Sequence, residues 1–82
     1  MSLVTLYGRP GCHLCDVARE AILALRGELG PFELRDVNIE EDDELLARYL
    51  ERIPVIAVDG EVVSELELDP HALRASLDTV RP

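Results

Sequence analysis

Apolar and polar residues change their period several times along this 82-residue chain, and each change marks a new element. Leu3–Tyr7 is a run of β-branched and large apolar residues, which predicts a buried strand. Gly8-Arg9-Pro10-Gly11 then breaks the strand, because two glycines and a proline in four residues make a turn. From about His13 to Leu29 the apolar residues Val17, Ala18, Ala21, Ile22, Leu25 and Leu29 recur at steps of three and four. Asp16, Arg19, Glu20, Arg26 and Glu28 fill most of the other face, so the segment predicts an amphipathic helix. Gly30-Pro31 is its stop.

Phe32–Asn38 alternates, with Phe32, Leu34 and Asp36 on one side and Glu33, Arg35 and Val37 on the other, and reads as a second strand. The acidic run Glu40-Glu41-Asp42-Asp43-Glu44 precedes Leu45, Leu46, Tyr49 and Leu50, which predicts a helix with carboxylates in its first turn. The positive N-terminal end of a helix favours such groups by about 0.3–1 kcal/mol each, less their mutual repulsion. The run therefore reads as a solvated helix start. Pro54–Val58 is a short apolar strand, and Asp59-Gly60 is a two-residue hairpin signal before Glu61–Ser64. Asp69-Pro70 reads as an N-cap followed by proline at the first helical position, with Ala72, Leu73, Leu77 and Val80 as the apolar face.

The predicted order is β-α-β-α-β-β-α. Its first half is a parallel βαβ unit with a right-handed crossover, and its last two strands are an antiparallel hairpin. A mixed four-stranded sheet with helices on both faces, an α/β architecture, uses every segment. The expectation is a single domain spanning residues 1–82.

Composition narrows the function. The chain is 48% hydrophobic with few aromatics, which suits a compact aliphatic core. Its formal net charge of −9, from 17 acidic and 8 basic side chains, repels phosphate backbones and anionic lipid surfaces. Nucleic acid and membrane are therefore not expected partners. Arg9 is a local cation beside the cysteines. The opening apolar stretch is far too short for a signal segment or a membrane span, so the expected location is the cytoplasm. A small, highly charged chain is expected to be a monomer. In a reducing compartment, two cysteines point to catalysis or metal binding rather than a permanent staple.

The chemistry lies in Cys12-His13-Leu14-Cys15, after a strand and at the start of a helix. There, unpaired backbone N–H groups and the helix dipole stabilise a thiolate on Cys12. Cys15 lies one turn on, close enough to close a small disulfide ring. An exposed thiolate attacks a substrate disulfide, and the second cysteine resolves the mixed disulfide. Arg9 and His13 are candidates to lower the first pKa further. His13 also reads simply as a solvent-exposed histidine, and His71 as a surface residue. Zinc is the rival reading of such a cysteine pair, but a structural zinc normally takes four ligands. His13 and His71 do not show ligand spacing, so no metal or bound cofactor is expected.

Tyr7-Gly8-Arg9-Pro10-Gly11-Cys12-His13-Leu14-Cys15 resembles the active-site segment of glutaredoxins, in the thioredoxin superfamily, and Ile53-Pro54-Val55 resembles their cis-proline segment. The Asp59-Gly60 hairpin falls where that family has its own. The resemblance implies the glutaredoxin fold, with Cys12 as nucleophile, Cys15 as resolving thiol and Arg9 in place of the usual lysine. It also implies a cis Ile53-Pro54 bond opposite the cysteines, with the backbone of Ile53 left to pair with an extended substrate. The likeness is divergent in two places. Ser64 and Glu65 stand where glutaredoxins carry a glutathione-cradling glycine pair, with Glu67 near the usual aspartate, and His13-Leu14 replaces Pro-Tyr.

The expected function is thus a thiol–disulfide oxidoreductase acting on protein or small-molecule disulfides. Its electrons would come from glutathione or a thioredoxin-type reductase. The substrate-binding candidates are Arg9, His13, Ile53, Pro54, Ser64 and Glu65. The alternative is a non-enzymatic thioredoxin-fold module that uses the same face for a partner protein or a metal.

Overall fold

The computed structural model describes residues 2–29 and 31–79, of which positions 29, 78 and 79 are described by backbone alone. Gly30, Val80 and the Leu29 side chain, which figured in the sequence reading, lie outside the described residues. Four strands, β1 (Ser2–Gly8), β2 (Phe32–Asn38), β3 (Val55–Val58) and β4 (Glu61–Glu65), form one sheet in the order β2-β1-β3-β4. β1 runs parallel to β2 and antiparallel to β3, and β3 runs antiparallel to β4. The helices are α1 (His13–Leu29), α2 (Asp43–Tyr49) and α3 (Pro70–Thr79), with a short 3-10 turn at Ile39–Glu41. This is the element order and mixed sheet that the sequence predicts.

Strand alternation divides the core in two. Val4, Leu6, Ile56 and Val58 face one side, where they pack with Phe32, Ala18 and Ile22 of α1, and Leu73 and Leu77 of α3. Tyr7 and Val55 face the other, with Ile39, Leu45, Leu46 and Tyr49 around α2. β3 is buried along its whole length because it is central and covered on both faces, which is why it reads as a continuous apolar run.

Local signals set the boundaries. The Asp69 carboxylate accepts from the N–H groups of His71 and Ala72 at 3.0 and 3.1 Å, and Pro70 takes the first helical position. Asp59 and Gly60 both have positive φ, as a two-residue hairpin needs. The Asp59 side chain also accepts from Leu3 N–H at 2.9 Å, which ties the hairpin to the start of β1.

Expectations for α1, α2 and two strand ends need correction. Val17 is 48% exposed, because the buried stripe of α1 follows Cys15, Ala18, Ile22 and Leu25 and leaves Val17 on the flank. The acidic run does not form one helical turn. Asp42 has extended backbone and caps α2, accepting from Glu44 and Leu45 N–H at 2.9 and 3.2 Å, so Glu40 and Glu41 belong to the preceding 3-10 turn. The capping hydrogen bonds outweigh the tendency of consecutive carboxylates to share one turn. β3 begins at Val55, one residue after the predicted start, and β4 extends to Glu65 through a bulge opposite Ile56 and Ala57.

Ile22 is wholly buried at the centre of the larger core. Ile22→Ala is expected to lower the unfolding free energy by about 2–5 kcal/mol in urea titrations, the range for truncating such a side chain. A loss well under about 1 kcal/mol would show that this core closes over the space left behind.

Candidate active site

The turn between β1 and α1 sets the positions of both sulfurs. Gly11 adopts φ of +80°, a backbone region that glycine enters at no steric cost. Cys12 N–H then donates to Arg9 C=O at 3.3 Å, and Asp16 N–H donates to Cys12 C=O at 3.2 Å, the first bond of α1. Cys12 is therefore the N-cap residue, and its sulfur occupies the place of a capping oxygen. Cys15 N–H donates to Cys12 Sγ at 3.2 Å. An N–H aimed at this sulfur, together with the positive end of the helix, favours negative charge on Cys12.

Cys12 and Cys15 form a disulfide with their Cα atoms 5.2 Å apart, inside the usual range for such a bond. The two sulfurs differ in access. Cys15 is 2% exposed, whereas Cys12 is only half-buried. Cys15 can lie this deep because Gly8, its neighbour in β1, has no side chain. A Cβ on Gly8 would stand 2.8 Å from Cys15 Sγ and 3.1 Å from its Cβ.

The sheet register brings in Pro54. Tyr7 pairs with Val55, and Val55 with Glu65. Gly8 and Pro54 each lie one residue beyond that paired step, at the end of the sheet where Gly8 meets Cys15. The Ile53-Pro54 bond is cis. Ile53 N–H, however, donates to Tyr49 C=O at 3.0 Å as the chain leaves α2. This corrects the expectation that the backbone of Ile53 stands open: its N–H is occupied. Among the described residues, nothing donates to its carbonyl.

The remaining candidates divide by face. Arg9 and His13 are exposed on either side of Cys12, and neither makes an ion pair among the described residues. Ser64 pairs with Ile56, one step further into the sheet, and its hydroxyl is buried without a hydrogen-bond partner. Glu65 shares its strand face with Val55, on the α2 side, and its carboxylate meets Arg52 at 3.4 Å. The structure thus gathers Cys12, Cys15, Arg9, His13 and Pro54 at one end, while the Glu65 side chain turns to the opposite face of the sheet.

Three features escape the sequence reading. The bare surface of Gly8 under Cys15 is one, since a glycine after a strand signals only a break. The second is Leu66, which holds φ of +71°, unfavourable for a leucine, with its N–H bonded to Arg52 C=O at 2.9 Å. The third is a clamp at the start of α1. Arg19 Nε and Nη2 both lie 2.9 Å from Asp36 Oδ1, and Nη1 lies 3.1 Å from Asp16 Oδ1. The hydrogen bond that Arg19 donates to Asp36 raises the Arg19 pKa above its already high ordinary value, so the guanidinium stays charged. It fixes the first turns of α1 to the end of β2, beside a shallow cavity of about 210 Å³ that Gly8 and Arg9 also line.

Residues 3–78 match the family described as Glutaredoxin-like domain (DUF836). An uncharacterized protein of Mycobacterium bovis, Mb0520, is 33% identical over 79 residues, covering 90% of this chain and 80% of its own. A glutaredoxin of Haemophilus influenzae is 32% identical over 63 residues, covering 68% of this chain and 72% of its own. Among solved structures, protein Ne2328 of Nitrosomonas europaea superposes with a TM-score of 0.82 at 28% identity, over 92% of this chain and 89% of that one. Fasciola hepatica thioredoxin superposes with a TM-score of 0.65 at 20% identity, over 98% and 81%, and so shares the thioredoxin fold.

The Gly8–Cys15 contact yields a direct test. Gly8→Ala is expected to destabilise the oxidised protein by about 1–3 kcal/mol, the usual cost of inserting a methyl group into a packed site. Denaturant unfolding without reductant measures it. An unchanged midpoint would show that the Cys15 sulfur is not held against the strand.

Proposed function

This chain belongs to the glutaredoxin-like domain family, and on that premise we propose that it is a dithiol thiol–disulfide oxidoreductase, with Cys12 as the attacking sulfur and Cys15 as the resolving one. The observation that carries this reading is the asymmetric pair: one sulfur reachable at a helix N-cap, the other buried one turn behind it. In the reduced protein, the Cys12 thiolate attacks one sulfur of a substrate disulfide. It forms a mixed disulfide and expels the first substrate thiolate, which takes up a proton. The Cys15 thiolate then attacks Cys12 Sγ and expels the second. Two electrons pass from the dithiol to the substrate, and the Cys12–Cys15 disulfide remains.

Helix geometry assists each step. The N–H of Cys15 and the dipole of α1 lower the basicity of Cys12, so it is ionised as nucleophile and departs readily when Cys15 attacks. Arg9 adds an unpaired positive charge in the turn before Cys12, where it favours the thiolate. His13 follows Cys12 in the chain, and Pro54 lies at the same end of the sheet. The Ile53 carbonyl offers one acceptor to an incoming backbone, with Ser64 and Glu65 lying beyond it on β4. Electrons return from glutathione or from a thioredoxin-type reductase.

In glutathione redox buffers quenched by alkylation and weighed by mass spectrometry, the pair is expected to interconvert reversibly between dithiol and disulfide. Cys15→Ser should accumulate a glutathione adduct on Cys12, and Cys12→Ser should form none at Cys15 because that sulfur is buried. A pair that stays reduced across the whole buffer range would remove the oxidoreductase reading. Adducts at Cys15 in preference to Cys12 would reverse the two roles.

A further inference from the structure

The surface around the dithiol combines exposed apolar side chains with unmatched negative charge, and that combination fits one kind of substrate. Leu14, between the cysteines, is 55% exposed, and Val17, one turn on along the same flank, is 48% exposed. Leu66 directly follows Glu65 at the end of β4, at the same end of the sheet, and is 57% exposed. Its left-handed backbone keeps a large apolar side chain in solvent. Three such side chains at the end of the sheet that holds the cysteine pair form a surface that gains from being covered.

The topology concentrates charge at the same end. β1, β2 and β4 all end there and β3 begins there, so the loops that follow and precede them crowd around the disulfide. Glu40, Glu41, Glu51 and Glu67 in these loops are exposed, and among the described residues none of them is in an ion pair. Arg52 is matched by Glu65, and among the described residues Arg9 and Arg48, the latter in the last turn of α2, are the nearby cations without a carboxylate partner. The whole chain adds a field of net charge −9. Such a field raises the encounter rate of cations and lowers that of anions.

Building on the oxidoreductase reading, we propose that the dithiol face selects disulfides carried by cationic polypeptides: an extended segment with an apolar residue beside its cysteine and lysine or arginine beyond it. The apolar residue covers Leu14 and Leu66, and the flanking cations meet the loop carboxylates. Anionic disulfides, glutathione disulfide among them, approach against the field. The chemistry is the two-step exchange above. The segment's disulfide takes two electrons and becomes two thiols, and Cys12 and Cys15 become the disulfide.

The test is a single turnover of the full chain, reduced beforehand with dithiothreitol and freed of it. Two peptide disulfides share a Cys-Leu core, one flanked by lysines and one by glutamates, and glutathione disulfide is the third substrate. Each rate is normalised to that substrate's reduction by dithiothreitol alone. At low ionic strength the lysine peptide is expected to react about tenfold faster than the glutamate peptide, the lower end of electrostatic steering. The gap should close as salt shortens the range of the field. Glu67→Gln should narrow the gap, and Leu14→Ser or Leu66→Ser should slow both peptides alike. Equal rates, a gap indifferent to salt, or glutathione disulfide outrunning the lysine peptide would overturn the proposal and leave the oxidoreductase standing. Failure to reduce any of the three substrates would overturn both.

Discussion

Gly8 ends β1 without a side chain, and the reactive end of the molecule is arranged around that missing atom. The Cys15 sulfur lies 2.8 Å from where a Cβ on Gly8 would stand, closer than a side chain at position 8 would allow. Gly8 follows Tyr7, which pairs with Val55, and Pro54 immediately precedes Val55, so the disulfide and the cis-proline lie at the same end of the sheet. Interiors are packed closely enough that one methyl group is felt. A larger residue at position 8 would move the helix, the sulfur or the strand.

The two faces of the sheet divide the labour. The α1–α3 side holds the larger core and the buried sulfur, and it is aliphatic apart from Phe32. The α2 side holds the Tyr7–Tyr49 ring pair, with centroids 5.0 Å apart, and supports the chain as it approaches Pro54. Tyr49 links the two, since its ring is buried in that core and its carbonyl takes the Ile53 N–H. Packing on one face thereby fixes which backbone groups remain open on the other. Arg19 supplies the lateral restraint, bridging α1 to β2 through Asp36 at the level of the active turn.

Much of this architecture was legible from period alone. The apolar strand, the helical stripe, the alternating strand and the Asp59-Gly60 hairpin each carry a local signal, and the structure has all of them in that order. The CxxC pair was legible because its chemistry is local to one helical turn. What was not legible depended on contacts between distant residues. Val17 lies next to Ala18 in sequence, and only the direction of the sheet beneath α1 decides which of them is buried. The use of the Ile53 N–H required knowing that α2 ends at Tyr49. The turning of Glu65 toward Arg52, and the backbone of Leu66, required the register of β4 with its bulge.

The position of each cysteine relative to the helix explains how the pair can change its bonding without disturbing the fold. Cys12 is the cap residue, outside the helical ladder apart from its carbonyl, while Cys15 is the third residue of α1 and part of its buried stripe. The proposed exchange would therefore rearrange bonds at the sulfur of a residue whose side chain is only half-buried. When the disulfide opens, the Cys15 N–H that faces Cys12 Sγ can stay bonded to it, because a thiolate is a better acceptor than a disulfide sulfur. The Cys15 sulfur lies against Gly8. Of the two sulfurs, Cys12 is the more exposed, and the order of attack proposed above rests on burial and helix position together.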